Sequence, residues 1–270
     1  MSALLDLLDV KADEGAGNWV GPASGPAGKR SFGGQFMAQS LAAAARTVDP
    51  AKLPTSMHLQ FLRGGEAGEV VDYAVTTVFD GRTAAARRVD ASQAGRLLTT
   101  ASVSFAAPMA GPEHGVAPPG DPEALPRTGP AGPAPSMPLD EIDIRISDDR
   151  RDGEFVRRLW WRVTVPVPDD ALLHTVIAAY ITDVYMIDPA LQVHGYSMAG
   201  RTHRSGTTDS SIWFHRRVHA DRWNLLETRS PAAARGRGVI TGSLIGADGV
   251  IAATLVQEGL IAEREPAPHV

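Results

Sequence analysis

The sequence GQFMAQSLAAAARTV, from Gly34 to Val48, decides the fold of the first half of the chain. Its small and apolar residues recur at spacings of three and four: Gly34, Ala38, Leu41, Ala42, Ala45 and Val48. This spacing is the period of an α-helix that buries one face. Because so many of its residues are alanines, the predicted helix can approach a β-sheet closely.

Strand patterns follow this helix. The four predicted strands are Met57–Leu62, Val70–Phe79, Thr83–Gln93 and Leu97–Phe105. The breaks between them contain the pairs Gly64-Gly65, Asp80-Gly81 and Ala94-Gly95, which are typical of turns. A single long helix followed by an antiparallel meander fits a sheet that wraps around the helix.

A similar order of elements returns in the second half. Two strand-like runs, Ile142–Ile146 and Leu159–Val167, precede a second predicted helix whose apolar stripe extends from Leu173 to Ile187. The strands predicted after it are Ser211–Val218, Trp223–Arg229, Val239–Gly246 and Val250–Glu258. The predicted fold class is therefore α+β, with two repeats of a long helix wrapped by an antiparallel sheet. Two such units can pair their edge strands into one longer sheet, which removes exposed edges.

A proline-rich segment separates the two halves. Ten of the twenty prolines lie between Pro108 and Pro138, which is typical of a linker that is partly extended and exposed. The predicted organisation is an N-terminal unit at 1–107, a linker at 108–139 and a C-terminal unit at 140–270.

Composition narrows the possible functions. A chain of 270 residues that is 43% apolar can bury a substantial core. A formal net charge of −5 gives no indication of a nucleic-acid surface. The first residues lack the basic segment and long apolar run of a signal peptide, and no stretch is apolar enough to span a membrane. Cysteine is absent, which is compatible with a reducing compartment, and the predicted location is the cytoplasm.

Three polar residues of the second half stand apart from their apolar surroundings. Asp183 lies at the edge of the helical stripe, Gln257 shares a strand face with apolar residues, and Thr207 precedes a predicted strand. Pattern alone leaves a structural explanation open for each: a boundary carboxylate in water, an edge-strand amide bonded to backbone, and a turn or cap threonine. The pattern by itself does not join the three.

A covalent nucleophile is not indicated by the sequence. A nucleophile elbow needs Gly-x-Ser-x-Gly between a strand and a helix. The nearest approach, Gly195-Tyr196-Ser197-Met198-Ala199, lacks the second glycine, and no convincing helix follows it. Ser197 is therefore interpreted as a loop residue.

Several blocks of sequence resemble a single family, and they occur in the same order along the chain. The blocks of the first half are Arg30-Ser31-Phe32-Gly33-Gly34-Gln35, Met57-His58-Leu59-Gln60-Phe61-Leu62-Arg63 and Asp80-Gly81-Arg82. Those of the second half are Thr207-Thr208-Asp209-Ser210-Ser211-Ile212-Trp213-Phe214-His215-Arg216 and Val256-Gln257-Glu258-Gly259-Leu260. Together they resemble the acyl-CoA thioesterase II (TesB-like) family, over nearly the whole chain outside the proline-rich segment.

The resemblance implies a double-hotdog fold and the hydrolysis of acyl-CoA thioesters to fatty acid and coenzyme A. It also implies the catalytic residues: Asp183 on the second-half helix, Thr207 just upstream of the Trp-Phe-His block, and Gln257 in the Val-Gln-Glu-Gly strand. Asp183 is the expected general base for a water molecule, without a covalent intermediate, a cofactor or a metal. The implied partner is the acyl-CoA substrate, and a homodimer or higher homo-oligomer is expected because hotdog sheets commonly bury their edges by pairing.

Two other functions remain open on this fold. A non-catalytic acyl-CoA-binding protein is compatible with the same sequence, because a fold does not establish catalysis. An enoyl-CoA hydratase is less favoured, since that chemistry needs a histidine a few residues from the aspartate. The segment Val184-Tyr185-Met186-Ile187-Asp188 contains none.

Overall fold

The computed structural model describes residues 2–13, 17–25, 27–115, 121–128, 139–151 and 153–264. Its four α-helices in these ranges are α1 (Ala3–Leu8), α2 (Gly33–Ala45), α3 (Ala171–Ile181) and α4 (Asp188–Gln192). Short 3-10 helices occur at Pro122–Ala124 and Leu139–Glu141. Within the described part of the chain, none of the helices has the length and hydropathy that a membrane span needs.

The strands of the described residues form one antiparallel sheet. In the first half they are β1 (Lys11–Ala12), β2 (Asn18–Gly21), β3 (Leu53–Phe61), β4 (Val71–Asp80), β5 (Ala84–Gln93) and β6 (Arg96–Ala106). In the second half they are β7 (Ile142–Arg151), β8 (Glu154–Val163), β9 (His203–Phe214), β10 (Asn224–Ala234), β11 (Arg237–Gly246) and β12 (Ile251–Glu263). The order across the sheet is β1-β2-β4-β5-β6-β3-β9-β12-β11-β10-β8-β7.

The two halves join through strands β3 and β9. These strands pair antiparallel, with His58 opposite Ser211 and Gln60 opposite Asp209. Each would otherwise be an edge strand of its own half, with unpaired N–H and C=O groups. The predicted pairing of the two edge strands is therefore confirmed.

One face of the sheet packs on the helices. In β3, Met57 and Leu59 are buried whereas His58 and Gln60 are exposed, as expected from side chains that alternate along a strand. We call the buried side the inner face and the opposite side the outer face. The inner face supplies the core, and α2 and α3 lie in contact with each other against it.

Helices α2 and α3 approach each other unusually closely at the start of α2. A Cβ atom added to Gly34 would lie 2.3 Å from the carbonyl oxygen of Tyr180 in α3, which is inside the van der Waals distance. Backbone cannot move away as a flexible side chain can, so this crossing requires glycine. The alanine-rich remainder of α2, from Ala38 to Ala44, is buried and continues the close packing.

The second predicted helix is shorter than the sequence pattern indicates. Helix α3 ends at Ile181, and residues 182–187 form a turn before α4. The prediction of one helix through Ile187 is wrong because Val184 and Ile187 are apolar for another reason: both are buried in the turn itself. Asp183 consequently lies just after the helix rather than on it.

Strand β9 also differs from its prediction. It begins at His203, eight residues before the predicted start at Ser211, and it ends at Phe214 rather than at Val218. Thr207, interpreted as a turn or upstream residue, is therefore inside the strand. Polar residues fill the first part of β9, so the apolar alternation that identifies a strand begins only later.

Part of the proline-rich segment contacts the outer face of the sheet. Leu125 contacts an outer-face cluster formed by Trp160, Leu225 and Ile245. Glu123 accepts a 2.9 Å hydrogen bond from the indole N–H of Trp223. Of residues 121–128, Pro122 is buried, Leu125 and Thr128 are half-buried and the other five are exposed. Leu125 covers an apolar patch of the second half, and the linker at 108–139 stays a prediction.

Replacing Gly34 with alanine tests the close helix crossing. We expect Gly34→Ala to lower the free energy of unfolding by roughly 1–3 kcal/mol, because the new methyl group forces α2 away from α3. Urea unfolding measures the change. Gly111→Ala is the control, since nothing lies within 4 Å of the added atom there. Equal stability of the two variants would contradict the assigned contact.

Candidate active site

Asp183, in the turn after α3, lies beside the first residues of helix α2. A Cβ on Gly33 would come within 2.6 Å of Asp183 Oδ2, so the carboxylate occupies space that only glycine leaves open. The backbone N–H of Gly34 donates a hydrogen bond to the same carboxylate. The first N–H groups of a helix have no partner inside the helix and carry partial positive charge, which favours an anion at this position.

The structure brings the three predicted site residues together. Thr207 Oγ1 donates to Asp183 Oδ1 at 3.1 Å, and Gln257 Nε2 donates to the same oxygen at 2.9 Å. Gln257 Nε2 also donates to Thr207 Oγ1. The threonine hydroxyl is thus a donor to the carboxylate and an acceptor from the amide, which fixes its orientation.

A β-bulge turns Thr207 toward the site. Ser210 and Ile212 face inward, so in a regular strand Thr207, three residues before Ser210, would face outward. The pairing of β9 with β12 shifts there: Glu258 is opposite Asp209 and Gly259 is opposite Thr207. The extra residue reverses the alternation, as β-bulges do, and places Thr207 on the inner face beside Gln257.

The bulge also separates two adjacent threonines that have the same chemistry. Thr208 is the extra residue of the bulge, and its hydroxyl donates to the carboxylate and the backbone carbonyl of Glu258 at 2.9 and 3.1 Å. Thr207 instead bonds to Asp183. Sequence alone does not distinguish the two residues; the register of the sheet does.

The side-chain amide of Gln257 is buried, and only its nitrogen is hydrogen-bonded among the described residues. Its side chain is 1% exposed, and its Nε2 is used by Asp183 and Thr207. Its Oε1 is buried and accepts no hydrogen bond from any described residue. A buried acceptor without a donor is unfavourable by about 1–3 kcal/mol. This oxygen therefore keeps its capacity to accept a hydrogen bond.

Burial raises the pKa of Asp183 from its ordinary value to about 6. Hydrogen bonds from Gln257, Thr207 and the Gly34 N–H act in the opposite direction, because they stabilise the ionised carboxylate. A carboxylate with a pKa near 6 is ionised at neutral pH and is still basic enough to accept a proton.

The turn that carries Asp183 contains a residue in a strained conformation. Tyr185 has φ of 54°, in the left-handed region that costs an L-residue roughly 1–2 kcal/mol. Ile187 then packs on Gly259, where an added Cβ would lie 1.8 Å from Ile187 Cδ1. Because Gly259 is opposite Thr207 in the sheet, the turn contacts the strands beside the site.

An aromatic group near Asp183 was not identified from the sequence. A Cβ on Gly33 would lie 3.2 Å from the ring of Phe61, so this ring borders the carboxylate. Phe32 and Tyr180 pack edge to face beside it, with ring centroids 5.1 Å apart. The available signal was the alternation of β3, which puts Phe61 on the same face as the buried Met57 and Leu59.

The serine of the incomplete elbow motif makes no recognised contact with Asp183, Thr207 or Gln257 among the described residues. Ser197 lies in the loop between α4 and β9, and its hydroxyl accepts a 3.2 Å hydrogen bond from the backbone N–H of Gly200. Its interpretation as a loop residue is confirmed.

Comparison with known proteins identifies the family. One family model, described as the acyl-CoA thioesterase N-terminal domain, matches residues 21–106, and another, described as the C-terminal domain, matches residues 112–261. The chain belongs to the acyl-CoA thioesterase family. The family predicted from the sequence is confirmed, and so is the enzyme class, a thioester hydrolase.

Relatives in this thioesterase family match over most of their length. Acyl-coenzyme A thioesterase 8 of Mus musculus is 31% identical, over 95% of this chain and 86% of that protein. The solved structure of acyl-CoA thioesterase II TesB2 from Mycobacterium marinum is 30% identical, with a TM-score of 0.83 over 99% of both chains. A hot dog fold protein of Alicyclobacillus acidocaldarius, 20% identical, has a TM-score of 0.77 over 99% of this chain and 100% of its own. The predicted double-hotdog fold is confirmed.

The pKa of Asp183 predicts how stability depends on pH. The folded state holds this proton up to about pH 6, whereas an unfolded aspartate releases it near 3.8. The folded state therefore binds more protons between these values, and folding becomes less favourable as the pH rises through them. We compare the free energy of unfolding of the wild type with that of Asp183→Asn. We expect the wild-type value minus the variant value to be about 2 kcal/mol lower at pH 7 than at pH 4. Urea unfolding at both pH values measures it; a constant difference would contradict the raised pKa.

Proposed function

We propose that this protein hydrolyses acyl-CoA thioesters to fatty acid and coenzyme A, using a water molecule activated by Asp183. The observation that carries the proposal is the convergence of Thr207 and Gln257 on one oxygen of a carboxylate held at a helix N-terminus. Three elements far apart in sequence supply these groups. Such an arrangement fits a positioned general base better than it fits a structural contact.

The chemistry begins with a proton transfer. The Asp183 carboxylate takes a proton from water while the water oxygen bonds to the thioester carbonyl carbon. Gln257 Oε1, which has no donor among the described residues, accepts the second hydrogen of that water. The hydrogen bond from Thr207 holds the Asp183 carboxylate in the orientation that faces this water. Positioning of this kind removes much of the entropic barrier to reaction.

The tetrahedral intermediate then loses the coenzyme A thiolate. Its oxyanion needs a donor, and the N-terminus of α2 beside Asp183 supplies positive potential there. The Gly34 N–H is already engaged by the carboxylate. We therefore assign the oxyanion to the Gly33 N–H. The C–S bond breaks with little acid assistance, because a thiol has a pKa of about 8.5. The proton on Asp183 is then released.

Thr207 acts as a positioning group rather than as the nucleophile in this proposal. A nucleophilic hydroxyl must direct a lone pair at the carbonyl carbon. The Thr207 oxygen accepts from Gln257 and donates to Asp183, so its bonding is directed at those two side chains. A direct attack by water needs no covalent intermediate.

Three predictions from the sequence stay predictions alongside this function. They are a homodimer or higher homo-oligomer, a location in the cytoplasm, and the division of the chain at 1–107, 108–139 and 140–270. We include them in the proposal because each follows from the sequence and none alters the chemistry of the site.

Free-thiol release from acyl-CoAs of graded chain length tests the reaction. We expect Asp183→Asn to lower kcat/KM about a thousandfold, because it removes the base. Thr207→Val is expected to lower it between about ten- and a hundredfold, since the carboxylate loses one positioning bond. Thr208→Val is the matched control and should retain wild-type turnover, because Thr208 bonds to Glu258 instead.

Two results would overturn the assignment. Full turnover by Asp183→Asn would remove the general base. Binding of acyl-CoA by folded wild-type protein, without thiol release at any chain length, would favour the non-catalytic binding protein.

The pH profile tests the state of the base. We expect kcat/KM of the wild type to rise with pH through about 6 and then level off, because only the ionised Asp183 accepts a proton. In Gln257→Leu the rise should move to higher pH, since the lost hydrogen bond had stabilised the ionised form. An unchanged or lower midpoint in that variant would contradict the role of Gln257.

A further inference from the structure

The turn that carries Asp183 is fixed at its far end by a buried carboxylate. Residues 182–187 lead from α3 into α4, which begins at Asp188. Tyr185 in the middle of the turn has φ of 54°. A bulky residue keeps such a conformation only when the surrounding structure determines it. The position of Asp183 therefore depends on what holds the two ends of this short segment.

Asp188 makes four polar contacts although its side chain is almost inaccessible to solvent. Its Oδ2 accepts from Arg157 Nη1 at 2.7 Å and from Gln192 Nε2 at 3.2 Å. Its Oδ1 accepts from the backbone N–H of Met198 at 2.9 Å. Its own backbone N–H donates to the carbonyl of Tyr185. The last contact is a backbone hydrogen bond that connects Asp188, the residue with the buried carboxylate, to the strained residue of the turn.

Arg157 joins this carboxylate to the sheet. It lies on the inner face of β8, is 7% exposed, and also donates to both oxygens of Asp148 on β7, at 2.9 and 2.7 Å. The planar guanidinium has donors in fixed directions, so bonds to two carboxylates determine where both lie. Asp148 and Arg157 are directly opposite each other in the β7–β8 pairing, which makes this side of the arrangement rigid.

The same end of the turn also has a contact that connects it to the strand opposite Thr207. Ile187, next to Asp188, packs on Gly259, the residue opposite Thr207 in the sheet. A displacement of Asp188 would therefore move both Asp183, through the turn, and the packing beside Thr207. The hydrogen bonds that converge on Asp183 depend on both.

We propose that Arg157 is a positioning residue for the catalytic carboxylate, acting through Asp188 on the turn that carries Asp183. The proposal rests on the proposed function, because it assumes that Asp183 is the base. Arg157 itself touches neither Asp183 nor Thr207 in any recorded hydrogen bond of the described residues. Arg157 contributes by fixing the geometry of the turn. Misplacement of a catalytic group by about 1 Å can lower the rate about a hundredfold.

The experiment compares Arg157→Met with Arg87→Met. Arg87 is the matched control: it is 3% exposed, pairs with Asp80 at 2.8 Å and ties the end of α2 to the strands, far along the chain from the turn. Arg157→Met removes a guanidinium that is paired with the buried Asp188, and Arg87→Met removes a buried guanidinium whose partner Asp80 is exposed, so both variants should lose stability. The informative measurements are kcat, KM for one acyl-CoA, and the pH midpoint of kcat/KM, made on folded protein.

We expect kcat of Arg157→Met to fall between about ten- and a hundredfold, with KM within about twofold of wild type. The pH midpoint should rise, because a displaced turn weakens the hydrogen bonds that favour the ionised Asp183. Arg157→Lys keeps the charge and one hydrogen bond to Asp188, and should recover most of kcat. Arg87→Met should keep the wild-type kcat and midpoint.

Wild-type kcat and pH midpoint in Arg157→Met would overturn the proposal, and so would equal losses in Arg87→Met. If Arg157→Met does not fold, Asp188→Glu replaces it, because one added methylene pushes the turn from Arg157 without removing a charge. Unchanged kcat in Asp188→Glu would then overturn the proposal. Failure of the proposed function is distinct: it appears as full turnover by Asp183→Asn, whereas failure of the positioning role leaves that variant inactive.

Discussion

The site depends on the close approach between the N-terminus of α2 and the chain that follows α3. Two glycines make this approach possible, since a side chain on Gly33 would overlap the Asp183 carboxylate and one on Gly34 would overlap the Tyr180 carbonyl. The approach gives Asp183 an N–H donor and the positive end of a helix. It also buries the carboxylate, which raises its pKa. The same contact therefore allows the two helices to pack and sets the environment of the Asp183 carboxylate, because both require that Gly33 and Gly34 have no side chain.

The continuous sheet supplies the other two groups of the site. Gln257 comes from the inner face of β12, and Thr207 comes from β9, where a bulge reverses the alternation of side chains. Strand β9 also pairs with β3, so the strand that carries Thr207 is held on both sides. Phe61, from the end of β3, borders Asp183 from the first half. The two halves therefore form the site jointly, although the polar side chains all come from the second.

The electrostatic state of Asp183 is a balance of opposing effects. Burial disfavours the charge, whereas hydrogen bonds from Gln257, Thr207 and Gly34 favour it. Burial alone would raise the pKa of this carboxyl group further, and the hydrogen bonds alone would lower it. The combination places its pKa near 6, where the group is ionised at neutral pH and still accepts a proton. Arg157 and Asp188 contribute to this balance by fixing the turn.

The sequence by itself determined the order of α2, α3 and strands β3 to β12, and the family, because residue period and motif order are properties of the chain alone. It allowed the pairing of the two edge strands. It also named Asp183, Thr207 and Gln257, through the resemblance. The end of α3 was decided only by tertiary structure, since Val184 and Ile187 are apolar whether a helix or a turn buries them. Tertiary structure also decided which of Thr207 and Thr208 faces Asp183, because the position of the bulge depends on the pairing with the partner strand. The pKa of Asp183 arises from atoms of α2, β9 and β12, which only the folded chain brings together.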